Sequence, residues 1–351
     1  MNKQTRQVKV GKIIIGGGQR VIVQSMTNTK TENVAETITQ IHDLQKIGCE
    51  LIRVAIPNIE AASALKEIKK AIDIPIVADI HFDYKLALAS MENGADKIRI
   101  NPGNIGGKQK LKSVVDAAIE RHIPIRVGVN SGSVEEKLLV KYGGPTPDAM
   151  VESALSNVRM IEELGYDQIV ISIKSSNVLD TIESYKKISE VVDYPLHIGI
   201  TEAGTIRKGT IKSSVGIGCL LHQGIGDTIR VSLTGDPREE VIVGREILRN
   251  LGLLDIGIEV ISCPTCGRCS VDLIKIADEI DKRVECIETT KKLKVAVMGC
   301  GVNGPGEAKD ADIGIAGGKG DYLLFIKGKP VRKIDENCAV DIFINELKKL
   351  I

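Results

Sequence analysis

Between residues 21 and 250 short β-branched runs alternate with amphipathic stretches, the pattern of repeated βα units around a parallel sheet. The runs are Val21–Met26, Leu51–Ile56, Pro75–Ile80, Lys97–Ile100, Pro124–Val129, Gln168–Ile173, Pro195–Ile200 and Thr228–Leu233. Each is followed by a helical stretch, such as Val34–Ile47, Leu111–Arg121 or Met150–Leu164. Eight strands in roughly 230 residues match the (β/α)8 TIM barrel in number and length. A doubly wound open sheet is the runner-up. It would usually have fewer strands and a glycine-rich first turn, whereas Gly16-Gly17-Gly18 precedes the first strand.

The pattern changes after Leu251, which places a domain boundary near residue 255. Residues 1–255 would form the barrel and 256–351 a small α+β domain. In the latter a helix is expected at Val271–Ile280, a strand at Lys294–Met298, a hairpin-like pair around Tyr322–Val331 and a last helix at Ala339–Leu350.

Four of the eight strands repeat one tripeptide pattern, an arginine between β-branched residues, at Ile52-Arg53-Val54, Ile98-Arg99-Ile100, Ile125-Arg126-Val127 and Ile229-Arg230-Val231. With the apolar neighbours against the helices, strand alternation turns each arginine into the barrel. The same period sets Asp79 with His81, Arg99 with Asn101, Arg126 with Gly128 and Asn130, Ser172 with Lys174, His197 with Gly199, and Arg230 with Ser232. Most lie near the C-terminal ends of their strands, the rim where barrel enzymes place their sites. Buried guanidinium groups cost several kcal/mol each unless paired, and Asp79 and Glu202 are too few for all of them. An anionic ligand would resolve the deficit. Arginine forks suit phosphate, with Lys174 as an added point charge. Thr205-Ile206-Arg207-Lys208-Gly209 and Lys212-Ser213-Ser214 open a helix that would add backbone donors, a weak signal alone.

Composition narrows the field. The 351 residues are 43% hydrophobic and 26% charged, with net charge +1, so nucleic acid or an anionic membrane is not expected as a partner of the whole surface. With no Trp, three Phe and six Tyr, base-stacking platforms are not expected either. Residues 1–20 mix five Lys and Arg with a three-residue Ile run, too short for a signal peptide, and no run approaches a membrane span. A cytoplasmic location is expected, where eight cysteines read as metal or catalytic groups before disulfides.

The densest chemical signal is Cys263-Pro264-Thr265-Cys266-Gly267-Arg268-Cys269, a spacing shared by zinc knuckles and iron–sulfur sites. A second is Gly299-Cys300-Gly301 leading through Asn303-Gly304-Pro305-Gly306 to Glu307. A ferredoxin run would need a further Cys at position 273, which is Leu, and a zinc ribbon would need a second close pair, which Cys286 lacks. A cluster with distant ligands remains, and by spacing alone Cys269 competes with Cys300. Cys49, Cys219, Cys286 and Cys338 read as buried small hydrophobes.

These segments resemble the family of 4-hydroxy-3-methylbut-2-enyl diphosphate synthases. The resemblance runs over nearly the whole chain, through Val23-Gln24-Ser25-Met26-Thr27, Ala78-Asp79-Ile80-His81-Phe82, Arg99-Ile100-Asn101-Pro102-Gly103-Asn104, Arg126-Val127-Gly128-Val129-Asn130, Thr201-Glu202-Ala203-Gly204, Cys263-Pro264-Thr265-Cys266-Gly267-Arg268 and Asn303-Gly304-Pro305-Gly306-Glu307. It implies a [4Fe–4S] cluster on Cys263, Cys266, Cys300 and Glu307, which leaves Cys269 out. A carboxylate is a harder and more exchangeable iron ligand than thiolate, so Glu307 suits an open corner. It also implies reductive ring opening and dehydration of a cyclic diphosphate, with two electrons from flavodoxin or ferredoxin. Arg53, Arg99, Arg126, Asn130, Lys174 and Ser232 would hold the diphosphate, while Glu202 and Asp79 serve the reacting carbons. A head-to-tail homodimer is implied as well. The competing enzyme reading is a phosphate-binding barrel lyase or pterin-type synthase with a structural zinc module. A non-enzymatic electron carrier on an inert barrel would leave the inward arginines without purpose.

Overall fold

The computed structural model describes residues 4–285, 287, 289–301 and 308–351, in two compact units, Met1–Leu253 and Leu254–Ile351. The first opens with an antiparallel hairpin, β1 (Val8–Val10) and β2 (Ile13–Ile15). Eight parallel strands follow: β3 (Ile22–Met26), β4 (Leu51–Ala55), β5 (Ile76–Asp79), β6 (Lys97–Ile100), β7 (Ile125–Asn130), β8 (Ile169–Lys174), β9 (His197–Ile198) and β10 (Thr228–Ile229). They are bonded in the order β8-β7-β6-β5-β4-β3-β10-β9. The Ile171 amide donates to the Pro195 carbonyl (2.9 Å) and a bridge joins Ile171 to Leu196, so β8 meets the approach to β9 and the ring closes.

Helices α1 (Val34–Lys46), α2 (Ile59–Ala71), α3 (Tyr84–Glu92), α4 (Lys108–Arg121), α5 (Glu136–Tyr142), α6 (Pro147–Glu162), α7 (Val178–Val191), α8 (Ile206–His222) and α9 (Pro237–Asn250) return the chain between strands. Their starts are written locally. Asn33, Asn58, Asp83, Thr146, Asn177 and Asp236 each accept a first-turn amide, and α6 and α9 begin with proline. Ile52, Val54, Ile98, Ile100, Ile125 and Val127 are fully buried, which fixes the arginines between them on the inner face.

The (β/α)8 barrel expected from the alternating pattern is the fold observed. The hairpin was not expected, because three-residue strands are too short to show an alternation. It closes one end of the barrel, where Val8, Val10 and Ile15 pack with Ile22, Leu51, Val77 and Val170 as an apolar floor. Ladders β9 and β10 are shorter than their hydrophobic runs. Next to them a Cβ on Gly199 would stand 2.3 Å from the Arg230 carbonyl, so only glycine permits that approach.

The second unit is a five-stranded mixed sheet: β11 (Gly257–Ser262), β12 (Lys292–Met298) and β13 (Ile313–Gly317) run parallel, and β14 (Asp321–Ile326) and β15 (Lys329–Asp335) add antiparallel. Helix α10 (Leu273–Glu285) offers Leu273, Ile276, Ile280 and Val284 at helical spacing, and α11 (Ala339–Lys348) offers Phe343, Ile344 and Leu347 to the same core. Strand β13 was hidden in the sequence by its glycines. A Cβ on Gly314 would lie 2.2 Å from the Phe325 ring, which fills that side of the strand. Among the described residues no helix is long and apolar enough to cross a membrane.

Candidate functional site

The barrel interior carries six basic side chains, Arg53, Lys97, Arg99, Arg126, Lys174 and Arg230, against two carboxylates, Asp79 and Glu240. Register aligns Asp79, Arg99 and Arg126 side by side across β5, β6 and β7, and Asn130 beside Lys174 across β7 and β8. Asp79 lies 3.2 Å from Arg99 Nη1 and 3.7 Å from Arg53 Nε, with His81 Nε2 3.6 Å away. Arg230 reaches Glu240 of α9 at 3.3 Å. Arg126 has no carboxylate among its hydrogen-bond partners. Its Nη1 donates to Ser172 Oγ (3.0 Å), while Nε and Nη2 have no hydrogen-bond partner among the described residues. Gly128 makes room for its neighbour, since a Cβ there would stand 2.5 Å from Arg99 Nε.

This crowding reshapes the titrations. Burial pushes the Asp79 carboxyl up, but Arg53, the His81 hydrogen bond and Arg99 outweigh it and hold it well below the usual range. Burial takes Arg53 down to about 10 despite Asp79. Burial lowers Lys174 far below the ordinary lysine value, and the surrounding arginines lower it further. His197 is lowered by burial and then by Lys174 and Arg126, so it is neutral, 3.3 Å from Lys174 Nζ.

Asp79 is the brace of this ring. Asp79→Asn leaves Arg53 and Arg99 facing each other uncompensated, so a loss of about 3–5 kcal/mol at neutral pH is expected in urea unfolding. Because the folded carboxyl titrates lower than the unfolded one, its stabilisation is complete above about pH 4 and fades as pH falls toward the folded value. An Asp79→Asn protein as stable as the parent would remove Asp79 from this role.

The structure gathers Arg53, Asp79, Arg99, Arg126 and Lys174 in one interior, with Asn130 half-buried at the rim. Ser232 and Glu202 follow β10 and β9, Ser232 half-buried and Glu202 exposed with a left-handed backbone (φ 50°). Lys212 is turned to the Ser176 carbonyl (3.1 Å). Sequence reasoning missed Lys97 and Glu240. Lys97 precedes Arg99 by two and so shares its face, a signal that was present; Glu240 sits on a helix, where strand periodicity says nothing.

The cysteine segments end two neighbouring strands. Cys263 follows β11 and Cys300 follows β12, in register through Ser262 and Val297, and the Cys263 amide donates to the Val297 carbonyl (3.4 Å). The Gly299 amide donates to Cys263 Sγ at 3.2 Å. Cys300 is buried, Cys263 and Cys269 half-buried and Cys266 exposed. Cys269 Sγ also lies against Gly299, 2.7 Å from where its Cβ would be, and donates to the Val271 carbonyl (3.3 Å). Among the described residues no three His, Cys, Asp or Glu side chains converge as a single metal ion requires. A polynuclear cluster spaces its thiolates more widely, and an amide aimed at a thiolate sulfur is the kind of contact that tunes one, so the donors fit. Glu307 lies outside the described residues, as does Cys286. Cys49 is buried as expected, whereas Cys219 and Cys338 are only half-buried because each sits toward a solvent-facing helix end.

The GcpE TIM-barrel domain matches residues 5–245, and the GcpE protein C-terminal domain matches residues 259–349. The chain is 61% identical to 4-hydroxy-3-methylbut-2-en-1-yl diphosphate synthase (flavodoxin) of Caldanaerobacter subterraneus subsp. tengcongensis, across 100% of this chain and 98% of that protein. The chain belongs to this family. Proteins of the same name from Clostridium perfringens and Clostridium acetobutylicum are 59% and 58% identical, each over 99% of both chains. Among solved structures, dihydropteroate synthases of Yersinia pestis and Stenotrophomonas maltophilia align over 71% of the chain, and over 100% and 97% of theirs. Their TM-scores are 0.51 and 0.52, at 14% and 12% identity. At that identity the likeness is one of barrel fold alone, and family membership disfavours the pterin-type alternative.

Proposed function

We propose that the barrel holds a cyclic diphosphate on Arg53, Arg99, Arg126 and Lys174, with Asn130 and Ser232 at the rim, for reduction by an iron–sulfur centre. The observation that carries this is the interior with six basic side chains, two carboxylates and an Arg126 without a carboxylate partner. The chain is an iron–sulfur oxidoreductase of the methylerythritol phosphate route to isoprenoids. It converts 2-C-methyl-D-erythritol 2,4-cyclodiphosphate to 4-hydroxy-3-methylbut-2-enyl diphosphate. One carbon–oxygen bond to the ring phosphate breaks, the hydroxyl on the adjacent carbon leaves as water, and a double bond forms between them. Counted on neutral acids, the change takes two electrons and two protons.

The arginines offset the diphosphate charge and the additional charge that develops on the departing phosphate oxygen. Asp79 is held anionic between Arg53 and Arg99, so it orients them and accepts hydrogen bonds rather than donating a proton. Glu202 at the rim is thereby the carboxyl group we assign to the departing hydroxyl. Cys263, Cys266, Cys300 and Glu307 are the proposed ligands of a [4Fe–4S] cluster, which would relay single electrons from flavodoxin. The relatives' name supports flavodoxin, and the resemblance supports a head-to-tail homodimer.

Anaerobic purification with iron, sulfide and zinc analysis tests the ligand set. About four iron and four sulfide per chain are expected, lost in Cys266→Ser and kept in Cys269→Ser. One zinc per chain without sulfide would overturn the assignment.

A further inference from the structure

Lys97 has no part in the reading above, yet its position is unusual. It lies on β6 two residues before Arg99, is fully buried, and its ammonium nitrogen has no hydrogen-bond partner among the described residues. Register sets it beside Val77, a member of the apolar floor built with Val8, Val10 and Ile15. Arg126 from β7 and Arg53 from β4 act on its charge, and it acts in turn on His197 of β9, while Asp79 of β5, Arg99 of its own strand, Lys174 of β8 and Arg230 after β10 line the same interior. Strand β3 contributes Gln24, whose amide nitrogen and oxygen are also without partners.

An ammonium group there would be desolvated, unpartnered and surrounded by like charge, while Asp79 is already engaged by Arg53 and Arg99. Lysine escapes this by losing its proton, as arginine does not. We propose that Lys97 takes up a proton when the cyclic diphosphate enters the barrel, so that anion binding and proton binding are one coupled event. The inference rests on the diphosphate reading of the barrel. Burial and then Arg126 and Arg53 hold the ligand-free group far below the ordinary lysine value. An anion on those arginines cancels the repulsion and draws the proton back. Lys174 and His197 stand in the same field but have each other, at 3.3 Å. Lys97 has no such relief, which singles it out.

The ligand makes the coupling measurable. Each phosphorus of the cyclic diphosphate carries a single acidic hydroxyl, ionised well below neutrality, so the ligand brings no titrating proton of its own. Between the ligand-free and ligand-bound titration points of Lys97, each binding event therefore draws a proton from buffer. Affinity falls as pH rises from the ligand-free to the ligand-bound point, by up to about tenfold per pH unit, and levels off above the latter.

The test is calorimetric titration of the oxidised holoenzyme with the cyclic diphosphate, without reductant, at pH 8 in buffers of differing ionisation enthalpy. The expected slope corresponds to uptake of about one proton per ligand. In Lys97→Met most of that uptake should vanish, and the ligand-free protein should melt higher because an unpartnered buried amine has gone. Wild-type binding with zero slope overturns the proposal while sparing the diphosphate site, and needs no variant to fold. Unchanged uptake in Lys97→Met overturns the assignment to Lys97. Absence of any wild-type binding would sink the diphosphate reading and this inference together.

Discussion

Arg126→Met is expected to weaken binding of the cyclic diphosphate by about 30-fold to a few thousandfold, the effect of about 2–5 kcal/mol typical of truncating one side of a buried charge pair. Arg126 is 1% exposed, next to Arg99 in register, and two of its three guanidinium nitrogens lack partners among the described residues. A group so placed costs the ligand-free protein stability and returns it only when an anion arrives. The variant should therefore unfold at the same or a higher urea concentration than the parent while its affinity collapses. The iron–sulfur absorption should not change, because Arg126 belongs to a different unit of the chain. An unchanged dissociation constant would reduce the inward arginines to structural braces.

Cys300→Ser is expected to remove the cluster and reduce turnover to background. A serine hydroxyl stays protonated near neutral pH and is a poor donor to iron, whereas the thiol ionises on binding. The substitution changes one atom at a buried position just after β12, so the sheet should persist and the barrel should bind the cyclic diphosphate with its original affinity. Iron content, visible absorption and calorimetric affinity separate these effects. Full iron with full turnover in Cys300→Ser would shift the ligand role to Cys269, whose sulfur lies against the Gly299 that precedes Cys300.

Much of the barrel was legible because its code is local. The Ile-Arg-Val and Ile-Arg-Ile runs announce strands with apolar outer faces and charged inner ones. What escaped depended on contacts distant in sequence. The floor hairpin is defined by what Val8 and Val10 cover rather than by any periodicity of their own. Glu240 belongs to the interior only because α9 begins beside β10 and lets its carboxylate accept from the Leu233 amide as well as from Arg230. Lys97 was readable by the rule that found Arg99, yet a lysine before an apolar run reads equally as a solvated strand start. Among the cysteines, spacing found the Cys263 and Cys266 pair. The nearness of Cys263 to Gly299 and Cys300 arises from the pairing of β11 with β12, and β11 was itself unexpected because its residues are mostly half-buried.

Together, the cation-rich barrel and the thiol-bearing strand ends describe an enzyme that receives an anionic ring and reduces it. The most direct measurement is an anaerobic single-turnover assay with reduced flavodoxin and 2-C-methyl-D-erythritol 2,4-cyclodiphosphate, following product by phosphorus NMR and flavodoxin oxidation by absorbance. The expected result is one linear allylic diphosphate for every two electrons consumed, with no product from Arg126→Met at limiting substrate or from Cys300→Ser at any concentration. Cluster-loaded wild-type protein that binds the cyclic diphosphate and oxidises no flavodoxin, leaving the ring intact, would contradict the account.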